Sequence, residues 1–218
     1  MDRVQLLIFD LDGTLVDSET DLALSVNAVR EQMGLDALPL KTIASYVGQG
    51  VTTLIEKSLG KPPSSEDVQR GVSLFLAYYR LHMLDHTRAY PGVRESLEGL
   101  KNLKMAVLTN KPVVFSRDML KGLRLAKYFA FIYGGNSFAQ KKPDPVGVIK
   151  LMDDTGSSRE QTMIVGDSDI DVLTARNAGV LACGVSYGIG SHTLEGTSPD
   201  LMVGDLRDLV PLLNGKGG

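Results

Sequence analysis

Val4-Gln5-Leu6-Leu7-Ile8-Phe9-Asp10-Leu11-Asp12-Gly13-Thr14 is an apolar run of strand length that ends in two carboxylates one residue apart. Such a pair repels itself, and at the end of a buried strand it calls for a cation or an electrophile to hold. The first Asp can attack as a nucleophile, and the second can serve as general acid and base. With Gly-Thr behind them, Asp10 and Asp12 read as functional groups rather than as turn or capping residues.

Outward from this strand, short apolar runs recur with helical stretches between them. The runs predict strands over 5–9, 104–109, 131–133, 163–165, 181–185 and 201–203. Crossover helices are predicted over 93–100, 114–123, 145–154 and 170–178. That alternation is the pattern of an α/β fold, a doubly wound parallel sheet covered on both faces.

Residues 18–86 break the rhythm and contain no strand pattern. Leu22, Val26, Val29 and Met33 recur at helical spacing, and Gly34 stops the run. Short helices are expected after Pro39 and after Gly50. A long one opens at Ser65-Glu66-Asp67, with Val68, Val72, Phe75 and Tyr79 on one stripe. An all-helical block between the first strand and the rest of the sheet reads as an inserted cap. The expected division is a core of residues 1–16 and 88–218 and a helical cap of 17–87. Hinges are expected near Asp17 and near Tyr90-Pro91-Gly92, and the 215–218 tail is expected to fray.

The bulk properties narrow the function class. The 218 residues carry 43% hydrophobic and 22% charged side chains, as in an ordinary globular chain. A net charge of −3 offers no basic field for nucleic acid and no polybasic stretch for a membrane surface. No apolar run approaches the ~18 residues of a membrane span. No charged leader precedes a cleavable apolar segment, so a cytoplasmic setting is expected. Cys183 is the single cysteine. It lies in an apolar run and reads as packing, which excludes disulfide frameworks and cysteine zinc sites.

Four of the predicted strands end in polar residues, and open α/β sheets bind ligands outside the carboxyl ends of their strands. Asp10 and Asp12 end the first, and Thr109-Asn110-Lys111 ends the second. Lys142 follows the third in Lys141-Lys142-Pro143-Asp144-Pro145, and Gly166-Asp167-Ser168-Asp169-Ile170-Asp171 ends the fourth. In this order the four motifs resemble those of the haloacid dehalogenase superfamily of aspartate-nucleophile phosphohydrolases, across nearly the whole chain.

The resemblance implies a phosphomonoesterase working through an aspartyl phosphate on Asp10, with Asp12 protonating the leaving alcohol and then activating water. Asp10, Asp167 and the backbone carbonyl of Asp12 would hold a hard cation, for which Mg²⁺ is the best match. Asp171, one helical turn on, would orient a water on that ion. Lys142 would neutralise charge between nucleophile and phosphate. The Thr109 hydroxyl and the Asn110 backbone N–H would bind a phosphoryl oxygen. The proximity of Asp10 and Asp12 suggests that one of them, Asp12, is protonated at rest.

A dehalogenase would lack the carboxylate at position 12. Phosphonate hydrolases carry a cap lysine in a context absent here, and sugar-phosphate mutases carry a cap histidine where this chain reads Asp17-Ser18-Glu19-Thr20-Asp21-Leu22. The stretches Tyr46-Val47-Gly48-Gln49-Gly50-Val51 and Thr87-Arg88-Ala89-Tyr90-Pro91-Gly92-Val93 are instead similar to the bacterial phosphoglycolate phosphatases. That likeness implies 2-phosphoglycolate as substrate, with other small phosphoesters or phosphomutase chemistry as alternatives. Gly48-Gln49-Gly50 is the expected substrate-facing cap loop, its glycines allowing amides to approach an anion. The partner is a small phosphorylated metabolite, in a monomer or a homodimer. Lys141, His82, His86 and His192 read as surface groups, and Tyr78-Tyr79 as helix packing.

Overall fold

A computed structural model describes residues 4–60 and 62–215. Residues 216–218 of the tail lie outside it. In chain order the elements begin with β1 (Leu6–Phe9) and β2 (Val16–Asp17). Four helices follow: α1 (Glu19–Gln32), α2 (Leu40–Ala44), α3 (Val51–Leu59) and α4 (Ser65–His82). Then come β3 (Arg88–Ala89), α5 (Val93–Gly99), β4 (Lys104–Leu108), α6 (Val113–Gly122) and β5 (Phe131–Tyr133). The chain ends with α7 (Val146–Thr155), β6 (Thr162–Gly166), α8 (Asp169–Ala178), β7 (Leu181–Val185), β8 (Leu201–Val203) and α9 (Leu209–Leu213).

Six strands form one parallel sheet in the order β5-β4-β1-β6-β7-β8. Every side chain of β1 is buried because both faces of the sheet are covered. Leu7 and Phe9 pack with Val107 and Val165 against residues of α5, α6 and α9. Leu6 and Ile8 pack with Ala106 and Ile164 against α7 and α8. Alternation along the strand thus serves two cores, and the run reads as continuously apolar. Cys183 is buried in β7, and burial pushes its thiol up to about 12, which leaves it inert at neutral pH.

The helices α1 to α4 form a block of their own. Leu22, Val26 and Val29 of α1 meet Leu54 and Ile55 of α3 and Phe75 and Tyr79 of α4 in its interior. Ser64 caps α4 by accepting a 3.1 Å hydrogen bond from the Asp67 amide. The two crossings between block and sheet lie side by side, because β2 and β3 pair antiparallel with Val16 opposite Ala89 and Asp17 opposite Arg88. Two-residue strands carry no readable periodicity, so this ribbon was not expected from the sequence. Asp21 pins the returning chain: its carboxylate accepts from the backbone N–H groups of His86 and Thr87 and from the Thr87 hydroxyl at 2.7–3.0 Å. Burial pushes this carboxyl up, but those hydrogen bonds outweigh it and hold the group below the usual range. No helix among the described residues is long and apolar enough to cross a membrane.

Candidate active site

Strand register alone assembles the site. Phe9 lies opposite Val107 on one side and Val165 on the other. The residues just beyond these, Asp10, Thr109 and Asp167, therefore emerge together at the carboxyl edge. From β1 the chain winds outward through β4 and β5 and returns on the other side as β6, β7 and β8. A crevice opens above such a reversal of strand order.

Lys142 and three carboxylates occupy the floor. The Lys142 ammonium, 3% exposed, is 2.9 Å from Asp10 Oδ1 and 2.6 Å from Asp171 Oδ1. Asp171 is held from the other side, since its Oδ2 accepts from the Ser168 N–H and hydroxyl in a capping box that starts α8. Asp171 thus caps a helix and anchors the lysine at once. Asp167 accepts from the Thr14 hydroxyl at 3.2 Å and the Gly190 N–H at 2.7 Å. Gly13 and Gly188 allow this close wrapping: a Cβ at either would fall 2.1–2.2 Å from Asp167 side-chain atoms.

Oxygens of Asp10, Asp167 and Asp171 lie within 4.8 Å of one another. Burial pushes Asp10 up to about 6; Lys142 opposes this shift and Asp171 adds to it. Asp167 is raised well above its ordinary value, by burial and then by Asp171 and Asp10. Three buried carboxylates against one ammonium leave an excess of negative charge, and the all-oxygen donor set suits a hard divalent cation.

The raised Asp10 has a consequence for stability. Its folded value of about 6 lies above the ordinary 3.8, so the folded chain holds this proton more tightly than the unfolded chain does. That stabilisation is present below pH ~4 and is lost as pH rises through ~6, which amounts to about 3 kcal/mol. About 1.4 kcal/mol of it remains at pH 5 and almost none at pH 7.5, so metal-free protein is expected to melt roughly 3–5 °C higher at pH 5 than at pH 7.5. A divalent cation should narrow the gap. Calorimetry with and without chelator checks it, and a metal-free melting temperature that rises between pH 5 and 7.5 would refute the charge excess.

Asp12 faces away from this cluster. Its two oxygens lie 3.0 Å from the Lys111 ammonium, and Oδ1 accepts from the Ser18 hydroxyl at 2.6 Å. Asp10 and Asp12 therefore face different lysines, Lys142 and Lys111 respectively. Lys111 is buried and also donates to the Tyr79 hydroxyl at 2.8 Å. Neither Lys111 nor Tyr79 was singled out from the sequence. Lys111 sits in a polar loop motif, and Tyr79 lies on the apolar stripe of α4, so only their meeting in space marks them.

Thr109 and Asn110 line a cavity of ≈50 Å³ with Asp10, Asp12 and Lys111, beneath the helical block. Gly48 and Gly50 also line it, whereas Gln49 is exposed. The loop meets the core through carbonyls rather than amides: Gly48 O accepts from Asn110 Nδ2 at 2.9 Å, and Gln49 O accepts from Lys141 at 2.5 Å. Lys141, expected to be an unattached surface group, thus reaches across to the helical block. Asn110 Nδ2 donates as well to the Lys142 carbonyl at 3.0 Å.

Comparison with known proteins agrees with this geometry. Residues 7–185 match the family described as haloacid dehalogenase-like hydrolase. Phosphoglycolate phosphatase of Neisseria meningitidis serogroup A is 38% identical over 96% of this chain and 93% of its own length. That of Pseudomonas syringae pv. syringae is 36% identical over 95% of this chain and 79% of its own length. The crystal structure of a predicted phosphoglycolate phosphatase from Haemophilus somnus superposes with a TM-score of 0.90 at 30% identity, covering 97% of this chain and 99% of that one. Sequence, fold and the carboxylate-rich strand ends converge, and the chain belongs to the haloacid dehalogenase-like hydrolases as a phosphatase, a phosphoric monoester hydrolase.

Proposed function

We propose that the protein is a cytoplasmic, Mg²⁺-dependent phosphatase that hydrolyses 2-phosphoglycolate to glycolate and phosphate through a phosphorylated Asp10. The observation that carries this reading is the buried Asp10–Lys142–Asp171 cluster with Asp167 beside it, beneath a cavity too small for a large ester. At ≈50 Å³ the cavity is a fraction of the ~300–1,000 Å³ pockets that take drug-sized ligands. That favours a two-carbon phosphoester over a nucleotide or a hexose phosphate. The relatives named phosphoglycolate phosphatase support the same choice.

Asp10 and Asp167, with the Asp12 backbone carbonyl, would hold the ion, and Asp171 would support it while anchoring Lys142. When bound, Mg²⁺ would cancel carboxylate–phosphate repulsion and polarise a phosphoryl oxygen. An Asp10 carboxylate oxygen attacks phosphorus while the bond to the glycolate oxygen breaks. Lys142 offsets the charge that gathers between nucleophile and phosphate. The Thr109 hydroxyl and the Asn110 N–H bind a phosphoryl oxygen. Asp12 donates a proton to the departing oxygen and then takes one from the water that releases phosphate from Asp10.

Residues 17–87 act as the cap over the core of 1–16 and 88–218, pivoting near Asp17 and Tyr90-Pro91-Gly92. Closure excludes bulk water, and opening releases product. The deciding measurement is kcat/KM with Mg²⁺ over a panel of 2-phosphoglycolate, a hexose phosphate and a nucleoside monophosphate. At least a tenfold preference for 2-phosphoglycolate is expected. A preference for either larger ester sinks the substrate assignment.

A further inference from the structure

We infer that Lys111 and Tyr79 together form the subsite that recognises the carboxylate of the substrate, and that they rather than the Gly48-Gln49-Gly50 loop confer selectivity for short acidic phosphoesters. This deepens the proposed function and rests on its placement of the phosphoryl group at Asp10.

Once the phosphoryl group is at Asp10, the remainder of the substrate faces the cap side of the cavity. Leu22, Val47, Val51, Leu54, Phe75 and Leu76 make that wall apolar. Lys111 is the one cationic side chain lining the cavity, and the Tyr79 hydroxyl is the one polar side-chain group contributed there by the helical block, among the described residues. The ammonium of Lys111 lies 2.8 Å from that hydroxyl and 3.0 Å from the Asp12 oxygens, with its side chain 5% exposed. Tyr79 OH accepts from Lys111, which leaves its own proton to donate. An incoming carboxylate would thus receive one hydrogen bond from the ammonium and one from the phenol. A hydroxyl-rich sugar would meet mostly hydrocarbon and leave its polar groups unpaired.

A lysine shared between two carboxylates is an arrangement this site already uses, since Lys142 lies between Asp10 and Asp171. Lys111 would stand likewise between Asp12 and the substrate. The loop's contacts to the core, through the Gly48 and Gln49 carbonyl oxygens, tie it to Asn110 and Lys141 rather than to the Lys111 ammonium. Other cap cations are turned elsewhere: Arg80 lies over the Phe115 ring at 5.5 Å and Lys57 over Tyr46 at 5.9 Å. Because Tyr79 belongs to α4 and Lys111 to the core, the subsite is complete only when the two bodies are together.

The test compares 2-phosphoglycolate with ethyl phosphate, which has a methyl group where the carboxylate stands. The wild-type ratio of kcat/KM for the two esters should fall about 10- to 100-fold in Lys111→Met, the worth of a charge-assisted hydrogen bond. It should fall several-fold in Tyr79→Phe and recover in part in Lys111→Arg. Equal losses on both esters would make Lys111 only a support for Asp12 and overturn the proposal. Calorimetric titration with phosphonoacetate against ethylphosphonate reads the same contact without turnover. Discrimination that disappears in Lys111→Met supports the subsite even in a protein that hydrolyses neither ester, which would refute the proposed reaction alone. Equal affinities for the two phosphonates in the wild type would refute the subsite and leave the reaction standing.

Discussion

Asp10→Asn is expected to lower kcat by at least about 10⁴-fold, in line with the loss of a covalent nucleophile. An amide oxygen does not attack phosphorus, and no other carboxylate replaces it. Asp12 is turned to Lys111, and Asp167 is held by Thr14 and Gly190. The same substitution should stabilise the metal-free protein, because it removes one charge from a buried cluster already in excess. Lost turnover together with a raised melting temperature separates a missing nucleophile from a damaged fold. More than about 1% residual kcat would rule out the covalent route.

Lys142→Met is expected to act in the opposite direction on stability. It leaves Asp10 and Asp171 without the ammonium they share at 2.9 and 2.6 Å. Removing one partner of a buried ion pair costs about 3–5 kcal/mol. For a chain of this size that lowers the melting temperature by roughly 6–20 °C. Loss of a fixed positive charge facing the transferred group should cut kcat by about 10²–10³-fold in material that still folds. Urea titration and steady-state kinetics check both parts. Wild-type stability in Lys142→Met would mean that the carboxylates are neutral, contrary to the pairing. Combining it with Asp10→Asn should recover part of the lost stability, because residues in one charge network are not additive.

The sheet was legible because β1, β4, β6 and β7 are buried on both faces and read as unbroken apolar runs. Each ends within two residues of the expected position. The residues brought to the carboxyl edge were legible for the same reason, since register follows once strands and their order are known. Lys111 and Tyr79 were not legible. Their polar ends meet across a gap of 32 residues, and Lys111 meets Asp12 across 99. A tyrosine at a core position of a helix carries no local sign that its hydroxyl faces a lysine. Lys141 and Asp21 illustrate the same limit, Lys141 reaching the Gln49 carbonyl and Asp21 the Thr87 amide, each far away in sequence. Periodicity reports which face is buried, but not which polar tip meets which.

The β2–β3 ribbon has a consequence for the history of such chains. Where Val16 lies beside Ala89, the helical block leaves and returns through a single pair of adjacent strands. To the sheet, everything beyond that pair is equivalent to one surface loop, and long loops whose ends already meet are tolerated with little penalty. A gene can therefore lengthen, shorten or exchange the block without disturbing strand order or the Asp10–Lys142–Asp171 cluster. The Tyr79 half of the selectivity subsite is thereby open to revision by replacement of a cassette, while Lys111 and the chemistry change by point mutation at strand ends.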